Sequence, residues 1–524
     1  MTKSYDAVII GAGHNGLIAA CYLAIAGMRV LVLEKNETVG GATLSKYSFP
    51  GIEARLSVYS YLIGLLPGKI LDDLGIRLEI RPRAVASYTP VLRDGRHEGL
   101  LISNLSEDIT RRSLIELTGD DREYLRYKKL QSRLAIFAQK VWPTLLAPLP
   151  SRRALRAQFR TIEEKRIWEY LVEEPLAALV EEHLMDDTLR GIVFTDAKIG
   201  VPTYPEDPTL LQNRTFIYHI IGQGTGTWRV PVGGMGALVD ALRSRALGAG
   251  VVIKTSAEVV NVEPGLSYNQ VHFIQNEQEA SVGARYVLFN TASNIANRCL
   301  PGVYAEDQVP GSVFKINMML KRLPRLKDGR VSSIDAFTGT FHLYEGYEYM
   351  RATYRQSQAG ARLGRISGEM YCHSLTDPSI LSKDLQEQGY QTLTLFGLDV
   401  PYDWFVSDNE GVKAELTGKY IAAINDFTVD DIADCLAIDA NGHPCIEAKS
   451  PLDLETSLGL PRGNIFHGNL TWPFAENDDD VDTWGVETNF ENVVMCGSSA
   501  KRGGAVSGIP GHNAAMYVLN LWHG

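Results

Sequence analysis

YDAVIIGAGHNGLIAACYLAIAGMRVLVLEKNETVGGA, residues 5–42, decides how the rest of the chain is read. Val8, Ile9 and Ile10 form the short apolar run of a buried parallel strand. Gly11, Gly13 and Gly16 follow as G-x-G-x-x-G, residues 17–26 continue as an apolar, alanine-rich helix, and Gly27 ends it. Residues 29–33 supply a second strand, closed by Glu34 eighteen residues after the third glycine. In such a unit the first glycine makes a tight turn, the second admits a pyrophosphate close to backbone, and the third lets helix and strand pack together. The pyrophosphate faces free N–H groups at the positive end of the helix, with His14 and Asn15 among the residues around it. Glu34, followed by Lys35, is placed to accept hydrogen bonds from a ribose diol, and an acid there repels the 2′-phosphate of NADP. The three glycines alone could be an incidental turn. The strand before them, the helix after and the acid at its distance make a dinucleotide site.

The choice between FAD and NAD needs more than the first motif, and Gly40 and Gly41, followed by Ala42 as a further cofactor-binding candidate, supply part of it. A Gly-Gly pair just past the acid lets the chain double back over the pyrophosphate, a feature of flavoproteins with a two-dinucleotide-type fold. FAD is therefore the expected cofactor.

The remaining composition narrows the classes. The chain has 524 residues, 45% hydrophobic and 22% charged, which is globular and long enough for more than one domain. A net charge of −11 argues against nucleic acid, which needs basic surface. Six cysteines (Cys21, Cys299, Cys372, Cys435, Cys445, Cys496) show no metal-ligand spacing and read as reduced, in a cytoplasmic setting. No signal segment and no run of 18 apolar residues is visible. The acidic run Asp478, Asp479, Asp480 and Asp482 lacks the spaced acids of an EF-hand loop, and His443 between Cys435 and Cys445 has no second pair. No metal is expected.

Three further stretches carry a resemblance: residues 230–262 (VPVGGMGALVDALRSRALGAGVVIKTSAEVVNV), 284–292 (ARYVLFNTA), and GNIFHG at 463–468 with VVMCGSSAKRGGAVSGIPGHNAA at 493–515. With the N-terminus, these resemble the phytoene desaturase-like branch of the flavin-containing amine oxidase superfamily. Within that branch they resemble the subgroup called pyridine nucleotide-disulphide oxidoreductase domain-containing protein 2 and its bacterial relatives. Bacterial carotenoid desaturases and ketolases begin similarly. The residues also read locally. Val232 to Gly236 form a Gly-rich entry to a helix with Leu238, Leu242 and Leu247 along it, VVIKT and EVVNV are strands, and VVMCG is a strand running into a Gly-rich loop. A last helix starts near Ile509–Pro510, where proline suits a first turn. The resemblance implies that Val259 sets its backbone against the adenine. It further implies that Gly497, Gly504, Ala505, Gly508 and Gly511 pack around FAD, with the last helix pointing its N-terminus at the flavin pyrimidine edge. Relatives commonly carry histidine-proline where this chain has Lys501–Arg502, two cations that either approach the flavin or its substrate or point to solvent.

The expected fold is α/β: a Rossmann-like FAD-binding domain of the two-dinucleotide-binding type, from residues 1–70, 225–300 and 485–524. A substrate domain of mixed sheet and helices takes 71–224 and 301–484, helical over about 121–200. After a break at Pro143, Pro148 and Pro150 one long charged helix is expected. Leu145, Leu146 and Leu149 beside Arg152, Arg153, Arg156 and Arg160 could form a peripheral membrane contact, although Glu163, Glu164 and Lys165 favour a solvated face.

The chemistry implied is hydride transfer to flavin from an apolar polyene or isoprenoid-like molecule, as desaturation or dehydrogenation with isomerisation or cyclisation as further outcomes, in natural-product biosynthesis. A flavin amine oxidase, with Trp472 and Trp484 as aromatic walls, and a non-catalytic flavin-binding interaction protein are the alternatives. Candidate catalytic residues are His467, Trp472, Lys501 and Lys315, with Pro473 and Phe474 as further pocket candidates. The electron acceptor stays open between oxygen, quinone and NAD(P), as does the oligomeric state.

Overall fold

In a computed structural model, which describes residues 4–305, 309–362 and 364–523, two seven-stranded sheets organise the chain. The first is drawn from three distant segments. Its order is Ala257–Glu263, Asn269–Gln275, Gln278–Phe289, Ser4–Ile10, Val30–Leu33 and Val252–Lys254, with Val493–Met495 also pairing Gln278–Phe289. The pairs through Ser4–Ile10, Val30–Leu33, Val252–Lys254 and Val493–Met495 are parallel; Val8–Ile10, Val30–Leu33 and Val493–Met495 are continuous buried apolar runs, while Val252–Lys254 at the edge is partly exposed. Ile10 lies beside Leu33 on one side and Phe289 on the other, and Phe289 lies beside Met495. The carboxyl ends of four strands therefore finish level. Gly11, Glu34, Asn290 and Cys496, the next residues along each, meet in the crevice where open α/β sheets bind ligands.

Helix His14–Ile25 leaves the first strand and packs against the last helix, Ile509–His523. That contact is close enough that a Cβ on Gly511 would stand 2.2 Å from the Asn15 carbonyl. Helix Gly236–Gly248 covers the same region; Leu238 and Leu242 are buried as expected, but Leu247 is exposed.

The second sheet is mixed: Ile446–Lys449, Phe314–Leu320, Gln391–Gly397, Gly368–Tyr371, Thr340–Leu343, Val85–Arg93, Arg96–Ser103, antiparallel except where Thr340–Leu343 meets Val85–Arg93. Helices over residues 107–220 pack beside it. The expected long charged helix is instead a series of short ones: Arg152–Arg156, Ile162–Trp168, a π turn at Glu169–Glu173, Leu176–His183 and Asp187–Thr195. Separate side-chain caps at Ser151, Thr161 and Asp186 start three of them. Leu145 and Leu149 are buried in this helical core, and Arg152 and Arg156 face Glu173, so the apolar half of the expected membrane contact is used internally. No helix among the described residues is long and apolar enough to cross a membrane. All six cysteines are free and buried.

Candidate active site

The nucleotide end is built from backbone. Gly16 has no room for a side chain, because a Cβ would lie 2.4 Å from the Gly11 carbonyl oxygen and 2.8 Å from the Asn290 amide nitrogen. Asn290 was missed in the sequence. It ends the apolar run YVLF, donates from Nδ2 to the Gly11 carbonyl at 3.1 Å, and sits under Gly13 and Gly497 as well. Glu34 is buried at the end of its strand, accepting the Ala12 N–H at 2.8 Å and the Asn36 N–H at 2.9 Å. These bonds fix the carboxylate over the loop while its remaining lone pairs stay open to a ribose. Gly40 bridges Gly13 and donates to the Ala12 carbonyl, and a Cβ on Gly41 would stand 3.6 Å from the Gly13 Cα, so the Gly-Gly pair does fold back over the loop. Val259 is buried two residues beyond Ala257, whose N–H donates to the Glu34 carbonyl. Lys35 is exposed and paired with Glu258 at 3.0 Å. The residues fit FAD: His14 Nε2 and Asn15 Oδ1 are buried at the start of the helix with no hydrogen-bond partner in the protein.

From this end a cavity of about 700 Å³ runs to the second, mixed sheet. It begins among His14, Ala42, Thr43, Ser498, Gly504 and Ala505. Gly508 and Gly511 instead seat the last helix against Ile18 and Asn15. His467 lines the cavity with a left-handed backbone (φ 65°), its Nδ1 without a partner and its pKa pushed down to about 4 by burial. His14, held at Nδ1 by the Thr43 hydroxyl at 3.0 Å, is depressed to about 4 by burial and by nearby His467. Lys315 also lines the cavity. Its ammonium donates to the carbonyls of Ser57 (2.9 Å) and Tyr59 (2.7 Å), stands 5.2 Å from the centre of the Tyr61 ring, and is lowered to about 7 by burial.

The far wall was not foreseen. Register aligns Lys315, Phe396, Glu369 and His342 in one row across four strands, and Thr394, Tyr371, Thr340 and Ser87 in the next. These positions alternate with Ile316, Leu395, Met370 and Phe341, which fill the apolar core behind the sheet. Polar residues at period two normally mark a solvent face; here that face lines the cavity. Tyr371 donates its hydroxyl to Glu369 Oε2, and Thr195 donates to Oε1 at 3.3 Å. Arg83, buried, donates to Thr340 at 2.9 Å, and its guanidinium carbon stands 5.8 Å from the Tyr371 ring centre. Burial pushes Asp196 up to about 7 and raises Glu369 and Glu345. His342, Glu345 and Glu369 approach within 4.8 Å of one another, but the positive charge of Arg83 already acts on His342 and Glu369, so they are not read as a metal centre.

Other candidates fall outside the cavity. Trp472 stacks on Phe474, with the Arg214 guanidinium 5.8 Å above its ring, and Phe474 packs on Trp168; neither aromatic lines the cavity, nor does Pro473. Trp484 packs near His512, so the two tryptophans form no aromatic cage. Lys501 is tied to Asp480, away from the cavity. Arg502 points neither to the cavity nor to solvent: fully buried, it donates to the carbonyls of Thr144, Ala147 and Trp484 and joins the helical region to the C-terminal loop.

A family model described as an NAD(P)-binding Rossmann-like domain matches residues 9–62. A Mycobacterium bovis protein named only as uncharacterized is 41% identical over 99% of this chain and 97% of its own. The mouse pyridine nucleotide-disulfide oxidoreductase domain-containing protein 2 is 26% identical over 99% and 94%. One of the polypeptides of the Castellaniella defragrans limonene dehydrogenase is 24% identical over 99% and 96%. The solved structure of cyclohexylamine oxidase from Brevibacterium oxydans aligns with a TM-score of 0.57 at 14% identity, covering 99% of this chain and 100% of its own, which is a likeness of fold. Level strand ends, the Gly-Gly fold-back and end-to-end relatives lead to one placement: the chain belongs to one family with the Mycobacterium protein, FAD-dependent oxidoreductases built on a Rossmann-like dinucleotide-binding domain.

Proposed function

We propose that this protein dehydrogenates an isoprenoid-like or polyene small molecule whose hydrocarbon body lies in the cavity. The observation that carries this reading is the wall between the glycine loop and the sheet, where Leu62, Leu130, Leu134, Ile199, Phe216 and Phe466 make an apolar sleeve continuous with the nucleotide end. Such a sleeve favours hydrocarbon by desolvation and excludes water from the reacting carbon. FAD, when bound, supplies the two-electron oxidant. The chain orients the substrate, and His467 and Lys315 place polar groups near that end of the cavity. The name of the Castellaniella relative, part of a limonene dehydrogenase, agrees with a small terpene-like substrate.

A second reading, amine oxidation, is favoured by the surplus of carboxyls on the far wall, which could hold an ammonium group. Anaerobic mixing of the FAD-loaded protein with monoterpenes, longer polyenes and amines separates the two. Bleaching of the oxidised flavin band by the hydrocarbons is expected, with a newly unsaturated product. Bleaching by amines alone overturns the proposal in favour of the second reading, and no bleaching by any class favours a flavin-binding interaction protein.

A further inference from the structure

The polar wall is built for more than shape. Three carboxyls, Asp196, Glu345 and Glu369, and one guanidinium, Arg83, converge from four separate segments in a buried setting. Carboxyls that outnumber cations in a desolvated site cannot all stay ionised, since each anion makes the next harder to form. Such a wall therefore holds at least one exchangeable proton. Glu369 is the member that both lines the cavity and is wired to a second lining group, the Tyr371 hydroxyl. The Tyr371 ring lies 4.6 Å from that of Tyr61, and the neighbouring Ser60 donates to the Ala42 carbonyl at the nucleotide end.

We propose that Glu369, with Tyr371 as its partner at the cavity surface, accepts the proton released in the dehydrogenation. This inference rests on the dehydrogenase reading. One C–H bond of the substrate breaks with its electron pair, leaving as hydride to the flavin. The adjacent C–H bond breaks as a proton, and its electrons form the new C=C bond. That proton passes to the Tyr371 oxygen as the tyrosine's own proton moves to Glu369. The substrate is oxidised by two electrons, the flavin is reduced by two, and Glu369 ends protonated.

The groups facing Glu369 set when it can accept. Thr195 and Asp196 come from the end of helix Asp187–Thr195, His342 and Glu345 from the neighbouring strand and its turn, and His219 from helix Leu211–Ile220. Arg83 precedes strand Val85–Arg93, and Lys315 lies two strands away in the same row. Lys198, behind the wall, is already paired with Asp399 at 2.8 Å. Burial holds His342 neutral, with a pKa near 3, and lowers His219, so Arg83 is the neighbouring cation that eases ionisation of Glu369. Desolvation outweighs it and places the Glu369 carboxyl at about 7. The base form is thus lost as pH falls below neutrality.

The test pairs kinetics with spectroscopy on the FAD-loaded protein. The rate of flavin reduction by whichever monoterpene or polyene bleaches the flavin should rise with pH up to about 7 and then level. Glu369→Gln should slow it by roughly 100- to 10,000-fold and flatten that rise, the range for general acid–base groups. Independently of substrate, infrared titration should show buried protonated-carboxyl absorbance that disappears across neutral pH, with the Glu369 band missing in Glu369→Gln and that of Asp196 retained. Retained FAD absorbance in the variant shows that it is folded. A wild-type pH profile in the variant, an unchanged set of titrating bands, or a stoichiometric divalent cation bound through Glu345 and Glu369 overturns the inference. If no compound bleaches the flavin, the dehydrogenase reading fails and the catalytic role falls with it; an intact infrared band then locates the failure in the substrate and leaves the proton site standing.

Discussion

The two ends of the cavity are built by opposite means. At the nucleotide end, short contiguous stretches do the work with backbone: the loop at Gly11–Gly16, the fold-back at Gly40–Gly41 and the loop after Met495 meet because four strands stop level. At the far wall the work is done by side chains, one or two per segment, gathered by the register of a mixed sheet and by helix ends. Backbone sites tolerate no added atoms. Side-chain sites tolerate change in shape and are sensitive to change in charge.

The sharpest break in that comparison comes at Gly16. Gly16→Val places a branched side chain where even a Cβ meets backbone at 2.4 Å. Overpacking of this kind costs about 1–3 kcal/mol and displaces the loop, so FAD content should fall by at least about tenfold, read from the absorbance of the purified protein. A protein that stays fully yellow would show that the loop does not hold the cofactor.

Next in size is Arg502→Met. It strips donors from three partly buried carbonyls that join the two regions and should lower unfolding free energy by about 3 kcal/mol in urea titrations. A loss well under about 1 kcal/mol would mean that these carbonyls find other donors.

At the far wall, His342→Gln sharpens the electrostatic side. Native His342 has a pKa depressed to about 3 by burial, against 6.5 when unfolded. Between those values the unfolded chain binds a proton that the native chain refuses. The contribution of this histidine is therefore full above 6.5 and drains away as pH falls. Relative to the glutamine variant, wild type should lose about 1 kcal/mol per pH unit below 6.5, measured by thermal or urea unfolding. A gap that does not change with pH would show His342 protonating freely in the native protein.

The smallest effect is expected at Trp472→Leu. Because this ring packs on Phe474 and lines no part of the cavity, substrate-driven flavin reduction should stay within about twofold of wild type. A loss like that expected for Glu369→Gln would place Trp472 at the substrate after all.

This division also explains what could be read from the residues alone. Gly11, Glu34 and Gly40 were legible because each belongs to a local backbone pattern of fixed spacing, whereas Gly504 was named only through the family resemblance. Lys315 was named as a polar group on the sheet face of a strand-like stretch and His467 through the GNIFHG stretch that carries the resemblance, and both line the cavity. Glu369, Tyr371, Thr340 and His342 were not. GEMY and TFHL alternate polar with apolar, a pattern shared with any strand having one wet face, and only the tertiary fold decides that this face closes over a cavity. Trp472 and Lys501 misled for the converse reason: proximity in sequence to a flavin loop says nothing about the direction of a side chain. The run 501–502 shows this most clearly, since one cation reaches Asp480 while the next is wholly buried.

The central claim is that one FAD lies across the level strand ends, with its ring in the mouth of the cavity and the apolar sleeve beyond it left for substrate. A crystal structure of the FAD-loaded protein tests this most directly. The account predicts the ribose at Glu34 and the isoalloxazine between Thr43 and Ala505, facing Tyr61 and the sleeve; a ring lying elsewhere, or filling the sleeve back to Glu369, would contradict it.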